Sequence, residues 1–161
     1  MLSFFKKKEE NTVVAADTDI IAIANGKMIP LEEVKDEAFA QKMMGDGVAF
    51  EVEGDTIYAP CNGTLDVAFP TGHAYGITMK DGTGLLVHIG INTVAAKGDG
   101  FKALVKQGQE IKAGDPLVKV DMKKLRANYD MTTMLIVTEE AEQAPVFMAY
   151  GAVTMGQKVN Q

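Results

Sequence analysis

The sequence predicts an all-β protein built from two similar β-motifs packed together, and three observations carry that expectation. Sixteen glycines stand against seven Phe, four Tyr and no Trp, a turn-rich composition that favours strands over long helices. A constant offset of 37 residues relates Ile20, Ala22, Asn25 and Gly26 to Ile57, Ala59, Asn62 and Gly63, and then Gly45, Gly47 and Phe50 to Gly82, Gly84 and Val87. Gly84 to Ile91 alternates cleanly, with Leu85, Val87, Ile89 and Ile91 on one face and Leu86, His88 and Gly90 on the other.

Each repeat unit has the same order: a short apolar strand, an Asn-Gly turn, another strand, and a strand bounded by glycine. The alternating segment should send its Leu85 face into the core. His73 to Met79 reads as its partner strand, joined through Lys80-Asp81-Gly82-Thr83, which sets His88 opposite a residue between His73 and Ile77. A further hairpin is expected from Val105 to Val120, with turns at Gln107-Gly108-Gln109 and Ala113-Gly114-Asp115-Pro116. Met134–Val137 and Val146–Val153 complete the strands. Helix is confined to short turns: Asp36 caps one carrying Phe39 and Met43, and Asp121 caps another through Leu125.

At 161 residues the chain fits one domain, expected over 19–161 behind a flexible tail over 1–18. The net charge of −6 excludes phosphate-backbone binding as a main activity, so no nucleic-acid partner is expected and a basic protein partner fits better. The single Cys61 makes no internal disulfide and lies in a turn with no neighbour to lower its pKa, which gives it a structural role. Nothing near the N-terminus is long and apolar enough for a signal or a membrane span, so a cytoplasmic protein is expected. Leu2, Phe4 and Phe5 beside Lys6, Lys7 and Lys8 allow at most weak membrane contact, opposed by Glu9 and Glu10. A monomer is expected.

His73 and His88 are the only histidines. Neutral imidazole, with an ordinary pKa near 6.5, keeps a lone pair that can attack phosphorus, and the phosphoramidate formed transfers onward readily. A second imidazole close by supplies an N–H donor for the phosphoryl oxygens. Thr71, two residues before His73, can fix that ring's tautomer. Gly90 lets another backbone approach, and the turn amides around Asn92-Thr93-Val94 add donors. Taken alone, a histidine on a strand is more often a surface or satisfied-core residue. The two rings are expected together, open on a shallow apolar surface.

The string His88-Ile89-Gly90-Ile91-Asn92-Thr93-Val94, followed by Lys97-Gly98-Asp99-Gly100-Phe101, resembles the active-site signature of the glucose-family enzyme IIA components of the bacterial phosphoenolpyruvate-dependent sugar phosphotransferase system. The resemblance extends through Phe39–Gly47, Ala59–Thr64, Thr71-Gly72-His73-Ala74 and Val105–Gln109, and covers about Ile20 to Met155. It implies an antiparallel β-sandwich or barrel of the duplicated hybrid-motif type, in agreement with the repeat. It implies that His88 is phosphorylated, that His73 steadies the phosphoryl group, and that Thr71 orients His73. The implied donor is the histidine phosphocarrier protein HPr, and the implied acceptor is a cysteine on the IIB domain of a sugar permease. One docking face would serve both, formed by Asp36, Met43, Met44, Phe69, Tyr75, Leu86 and Val94.

Four positions depart from the family pattern: Asn92 stands where an aspartate is usual, Lys35 where a proline is common, and Ala24-Asn25 where Leu-Ser or Leu-Thr is usual. No cofactor is expected beyond the transient phosphoryl group, and zinc only as an ion shared with a partner. Two alternatives share this texture. A biotin or lipoate carrier domain would use Lys123 as its attachment site, but such domains are half this length. A zinc peptidase of related architecture needs three protein ligands, and the chain has two histidines with no His-x-His pair.

Overall fold

The computed structural model describes residues 11–148 and 150–161. Eleven short strands form two antiparallel sheets with two helices of about one turn each. In chain order they are β1 (Asn25–Pro30), α1 (Glu37–Ala40), β2 (Asp46–Glu53), β3 (Thr56–Tyr58), β4 (Gly63–Ala68), β5 (Ala74–Thr78), β6 (Gly84–Ile89), β7 (Phe101–Ala103), β8 (Glu110–Ile111), β9 (Pro116–Val120), α2 (Met122–Arg126), β10 (Thr133–Glu139) and β11 (Gly151–Val153). The larger sheet runs β11-β1-β2-β10-β6-β5-β4-β8, and the smaller one β3-β9-β7. No described helix is long and apolar enough to cross a membrane.

The 37-residue repeat is real in three dimensions. Ile21 N–H donates to Pro60 O at 2.8 Å and Tyr58 N–H donates to Ile23 O at 2.9 Å, so exchanging each residue for its mate 37 positions away turns one bond into the other. The Asn-Gly turns match as well. Asn25 Oδ1 accepts from Met155 N–H, and Asn62 Oδ1 accepts from Ala113 N–H. Ala22 and Ala59, both fully buried, each exchange two backbone bonds with the following turn, Gly156-Gln157 in one unit and Gly114-Asp115 in the other. The later glycines hold the copies onto a shared strand: a Cβ on Gly47 would fall 2.0 Å from Leu135 O, and one on Gly45, at φ 127°, 2.2 Å from Val137 O.

Register decides which side chains reach the core, because directly opposed residues share a face. Val48, Leu135, Val87 and Tyr75 form one row across β2, β10, β6 and β5, pointing into the main core with Leu85, Ile89, Leu117 and Val118. The neighbouring row, Ile29-Ala49-Met134-His88-Ala74, points the other way. A one-turn 3-10 helix over Leu31–Glu33 and α1 cover most of that outer row, making a second apolar cluster of Leu31, Val34, Phe39 and Ile136. Asp36 starts α1 as expected, accepting from Ala38 N–H at 2.9 Å, and Asp121 starts α2 by accepting from Lys124 N–H.

Two expectations need correction. Val105–Val120 is not a hairpin. Its turns stand where expected, but β8 joins β4 in the large sheet while β9 lies between β3 and β7 in the small one. Among the described residues, Val146–Val153 supplies only β11 and a single bridge between Phe147 and Asn160. Nearer the N-terminus, Asn11 Nδ2 donates to Ala113 O and Asp115 Oδ1, and Val13 lies over Gly114. The basic run Lys6–Lys8 and its membrane contact lie outside the described residues.

Candidate active site

His88 sits where the cover of the outer row ends. Ile29, Ala49 and Met134 on its row are buried beneath the 3-10 turn and α1, whereas His88 is half-buried, with the Phe39 ring centroid 5.0 Å from its own. Its Nδ1 lies 2.9 Å from Gly90 O. A carbonyl only accepts, so Nδ1 carries the proton and Nε2 keeps the lone pair. The Gly90 carbonyl is aimed by a backbone at φ 78° in which no larger residue fits, since a Cβ would meet Thr93 Cγ2 at 2.5 Å and Met131 Sδ at 2.9 Å. Thr93 pins the following turn by donating to Ile89 O at 2.5 Å.

His73 immediately precedes β5, and its carbonyl accepts from Ile89 N–H at 2.8 Å, fastening it beside the end of β6. The two imidazole centroids are 5.2 Å apart, nearly perpendicular at 84°. Thr71 Oγ1 lies 2.6 Å from His73 Nδ1; with the hydroxyl as donor, the ring proton is placed on Nε2. Against expectation, His73 is not open: only 3% of it is exposed, tucked edge-on between His88 and Phe69. His88 alone offers a half-open ring.

Both imidazoles are held below the ordinary pKa. Burial is the main cause for each. The neighbouring His88 adds to it for His73, while the Gly90 carbonyl and the Asp36 carboxylate partly offset it for His88. At neutral pH both rings are therefore uncharged, with a lone pair on one and an N–H donor on the other. That combination can accept a phosphoryl group at one nitrogen and hydrogen-bond its oxygens from the other. Cys61 offers no competing nucleophile: it is fully buried, and its thiol is pushed up to about 12 by burial and by Asp81.

Of the residues expected on a docking face, Met43, Met44, Phe69 and Val94 are exposed, Leu86 is half-buried against the second cluster, and Asp36 is half-buried. Phe69 packs edge-on to His73, with ring centroids 5.3 Å apart. Tyr75, opposite Val87, faces the main core and is fully buried, so it forms no part of an exposed face. A bulge at Asp66 carries Val67 into the outer row with Gly76 and Leu86, and it is 42% exposed.

Known proteins share this sequence and this fold. Residues 18–143 match the family model for the phosphoenolpyruvate-dependent sugar phosphotransferase system, EIIA 1. The chain belongs to this EIIA family. A glucose-specific EIIA component of Mycoplasma capricolum is 39% identical over 141 residues, covering 87% of this chain and 92% of that one. A glucose-specific EIICBA component of Staphylococcus carnosus is 38% identical over 154 residues, 94% of this chain but 23% of the relative. The chain thus spans under a quarter of that fused relative and nearly all of the stand-alone one. The solved glucose permease IIA from Mycoplasma capricolum superposes with a TM-score of 0.84 at 38% identity, covering 88% of this chain and 93% of that one.

Membership fixes the class of chemistry. An EIIA component is a phosphotransferase that works through a phosphohistidine, with HPr and a IIB domain as its partners. The duplicated β-sandwich expected from the sequence is the fold of this family. The carrier-domain alternative loses its attachment point, since Lys123 lies within α2 and not at a hairpin tip, and the family match leaves no role for a peptidase.

Proposed function

We propose that His88 is the residue phosphorylated, with His73 and Thr71 as its supports. The observation that carries this reading is the tautomer imposed by Gly90, which leaves Nε2 of the half-open ring as the free nucleophile. As Nε2 attacks the phosphorus of phospho-HPr, the new N–P bond forms while the N–P bond to the HPr imidazole breaks, and His88 Nδ1–H stays on Gly90 O. The positive charge that develops on the His88 ring is stabilised by that carbonyl and by Asp36. His73, its Nδ1 held by Thr71, donates Nε2–H to a phosphoryl oxygen. In the second step a IIB cysteine thiolate attacks the same phosphorus and His88 leaves as a neutral imidazole.

The docking rim of Met43, Met44, Phe69, Val94, Leu86 and Val67 excludes water from both transfers, and Asp36 supplies the charge a basic donor needs. The relatives named above are glucose-specific, and we extend glucose to this chain as the sugar served. It acts as a cytoplasmic monomer, with no cofactor besides the phosphoryl group.

The test is mapping of the phosphosite by mass spectrometry after incubation with phospho-HPr. An acid-labile label on His88 alone is expected, and a stable label on serine or threonine overturns the reading. Replacing His73 by alanine should slow transfer to IIB more than acceptance from HPr, and equal losses in the two steps would remove it from the supporting role.

A further inference from the structure

Residues 97–126 reverse the charge of the molecule: eight Lys or Arg stand against four Asp or Glu, a surplus of four positive charges in a chain whose total is −6. Part of this surplus lines an open cavity of about 580 Å³ bounded by Asp55, Gly100–Lys102 and Lys119–Lys123. We propose that this cavity, distinct from the histidine centre, binds a small phosphorylated metabolite the size of a hexose monophosphate.

Lys102, Lys119 and Lys123 line this cavity, and all three residues are exposed. Lys102 and Lys119 are directly opposed in the β7–β9 register, so their side chains leave the same face. Like charges placed directly opposite destabilise a sheet unless an anion neutralises them. Asp55 and Asp121 line the same cavity, but neither pairs with Lys102 or Lys119: the ion pairs among the described residues use Lys42, Lys124 and Lys158. Protection of a sheet edge explains Lys102, because β7 is an edge strand, but not Lys119, which lies on the central strand β9.

The remaining lining argues for an organic phosphate over a bare ion. Phe101, Val120 and Met122 provide an apolar wall, while the Asp55 and Asp121 carboxylates, which accept from Thr56 Oγ1 and from Lys124 N–H, add acceptors for hydroxyl donors. Three cations against two carboxylates leave one net positive charge, which favours an anionic ligand. The volume lies in the range of small-molecule sites, roughly 300–1,000 Å³.

The experiment is an amide NMR titration of the full chain with glucose 6-phosphate, with free glucose, inorganic phosphate and phosphatidylglycerol vesicles as parallel arms. Saturable shifts at Gly100, Lys102, Lys119 and Lys123 with glucose 6-phosphate, weaker with inorganic phosphate and absent with glucose, are expected. The Lys102→Gln/Lys119→Gln variant should bind about tenfold more weakly or worse, while still accepting phosphoryl from phospho-HPr at the native rate. Because the pair repels in the empty protein, Lys119→Gln alone should raise the unliganded Tm. Shifts that do not saturate, equal binding by the double variant, or a response to vesicles alone would overturn the proposal.

Discussion

The two copies of the 37-residue motif began with the same order of strands and diverged at one segment, and that divergence creates the site. In the first copy the chain between β1 and β2 turns into the 3-10 helix and α1 and lies across the sheet as a cover. In the second copy the corresponding chain runs as β5, paired to both β4 and β6. Position by position, His73 answers to Asp36, Thr71 to Val34 and His88 to Glu51. Val48, Phe50 and Val52 of β2 are buried like Leu85, Val87 and Ile89 of β6, while Glu51 and His88 both turn outward. The duplicated part thus supplies packing, and the unlike part supplies chemistry: a second imidazole from one copy, a carboxylate and an apolar lid from the other.

The sharpest way to break this comparison is to exchange the outward residues. His88→Ala should reduce phosphoryl acceptance by at least about 10³-fold, and adding Glu51→His should restore none of it. At position 51 no adjacent imidazole waits, and Lys27 stands opposite on β1. Restoration measured with phospho-HPr would mean that any outward imidazole on this scaffold suffices.

A second, smaller effect separates matching glycines. Gly47→Ala should cost about 3 kcal/mol or more in denaturant unfolding, because its Cβ collides with Leu135 O where two backbones meet. Gly82→Ala, at φ 95° with open space around it, should cost about 1 kcal/mol from backbone strain alone. Its mate Gly45→Ala should resemble Gly47, since it faces Val137 O at 2.2 Å. Equal costs at 45 and 82 would show that backbone strain, not the shared strand, decides both.

The imidazoles give a pH signature confined to the second copy. Both are depressed in the folded state, so as pH falls below about 6.5 the unfolded chain binds protons before the native one does. Stability from this source is fully present above the unfolded value and is lost through the window down to the folded values. Denaturation curves at stepped pH should show that loss, and the variant lacking both imidazoles, His73→Ala/His88→Ala, should flatten it. Acceptance from phospho-HPr should likewise hold near and above neutrality and decline only once the His88 ring protonates.

The smallest effect concerns Tyr75, whose buried hydroxyl has no hydrogen-bond partner among the described residues and is pushed up to about 12 by burial. Tyr75→Phe should leave stability unchanged or raise it by up to about 1 kcal/mol, with native phosphoryl transfer. A loss above that size would reveal a partner for the hydroxyl.

Local rules made much of this legible in the sequence. The alternation from Gly84 to Ile91 assigned both faces of β6, the repeated Asn-Gly turns revealed the duplication, and Asp36 and Asp121 marked the helix starts. What stayed hidden depends on register and on partners distant in sequence. Tyr75 entered the docking set through the resemblance, whereas its pairing with Val87 turns it into the core, and the bulge at Asp66 that turns Val67 outward leaves no mark in the local pattern. The supposed hairpin over Val105–Val120 had correct turns at Gly108 and Gly114, yet its strands are divided between sheets. Gly90 was read as room for another backbone, whereas its own carbonyl sets the His88 tautomer.

β10 has a consequence for how the chain is made. It lies between β2 and β6, hydrogen-bonded to both, although it comes from Thr133–Glu139. Until those residues leave the ribosome, neither copy of the motif has its inner neighbour, and two apolar strands wait with unpaired backbone edges. The wedge that locks the arch is therefore made late, so a nascent chain halted before Thr133 should be captured by chaperones, and one extended through β11 should escape them.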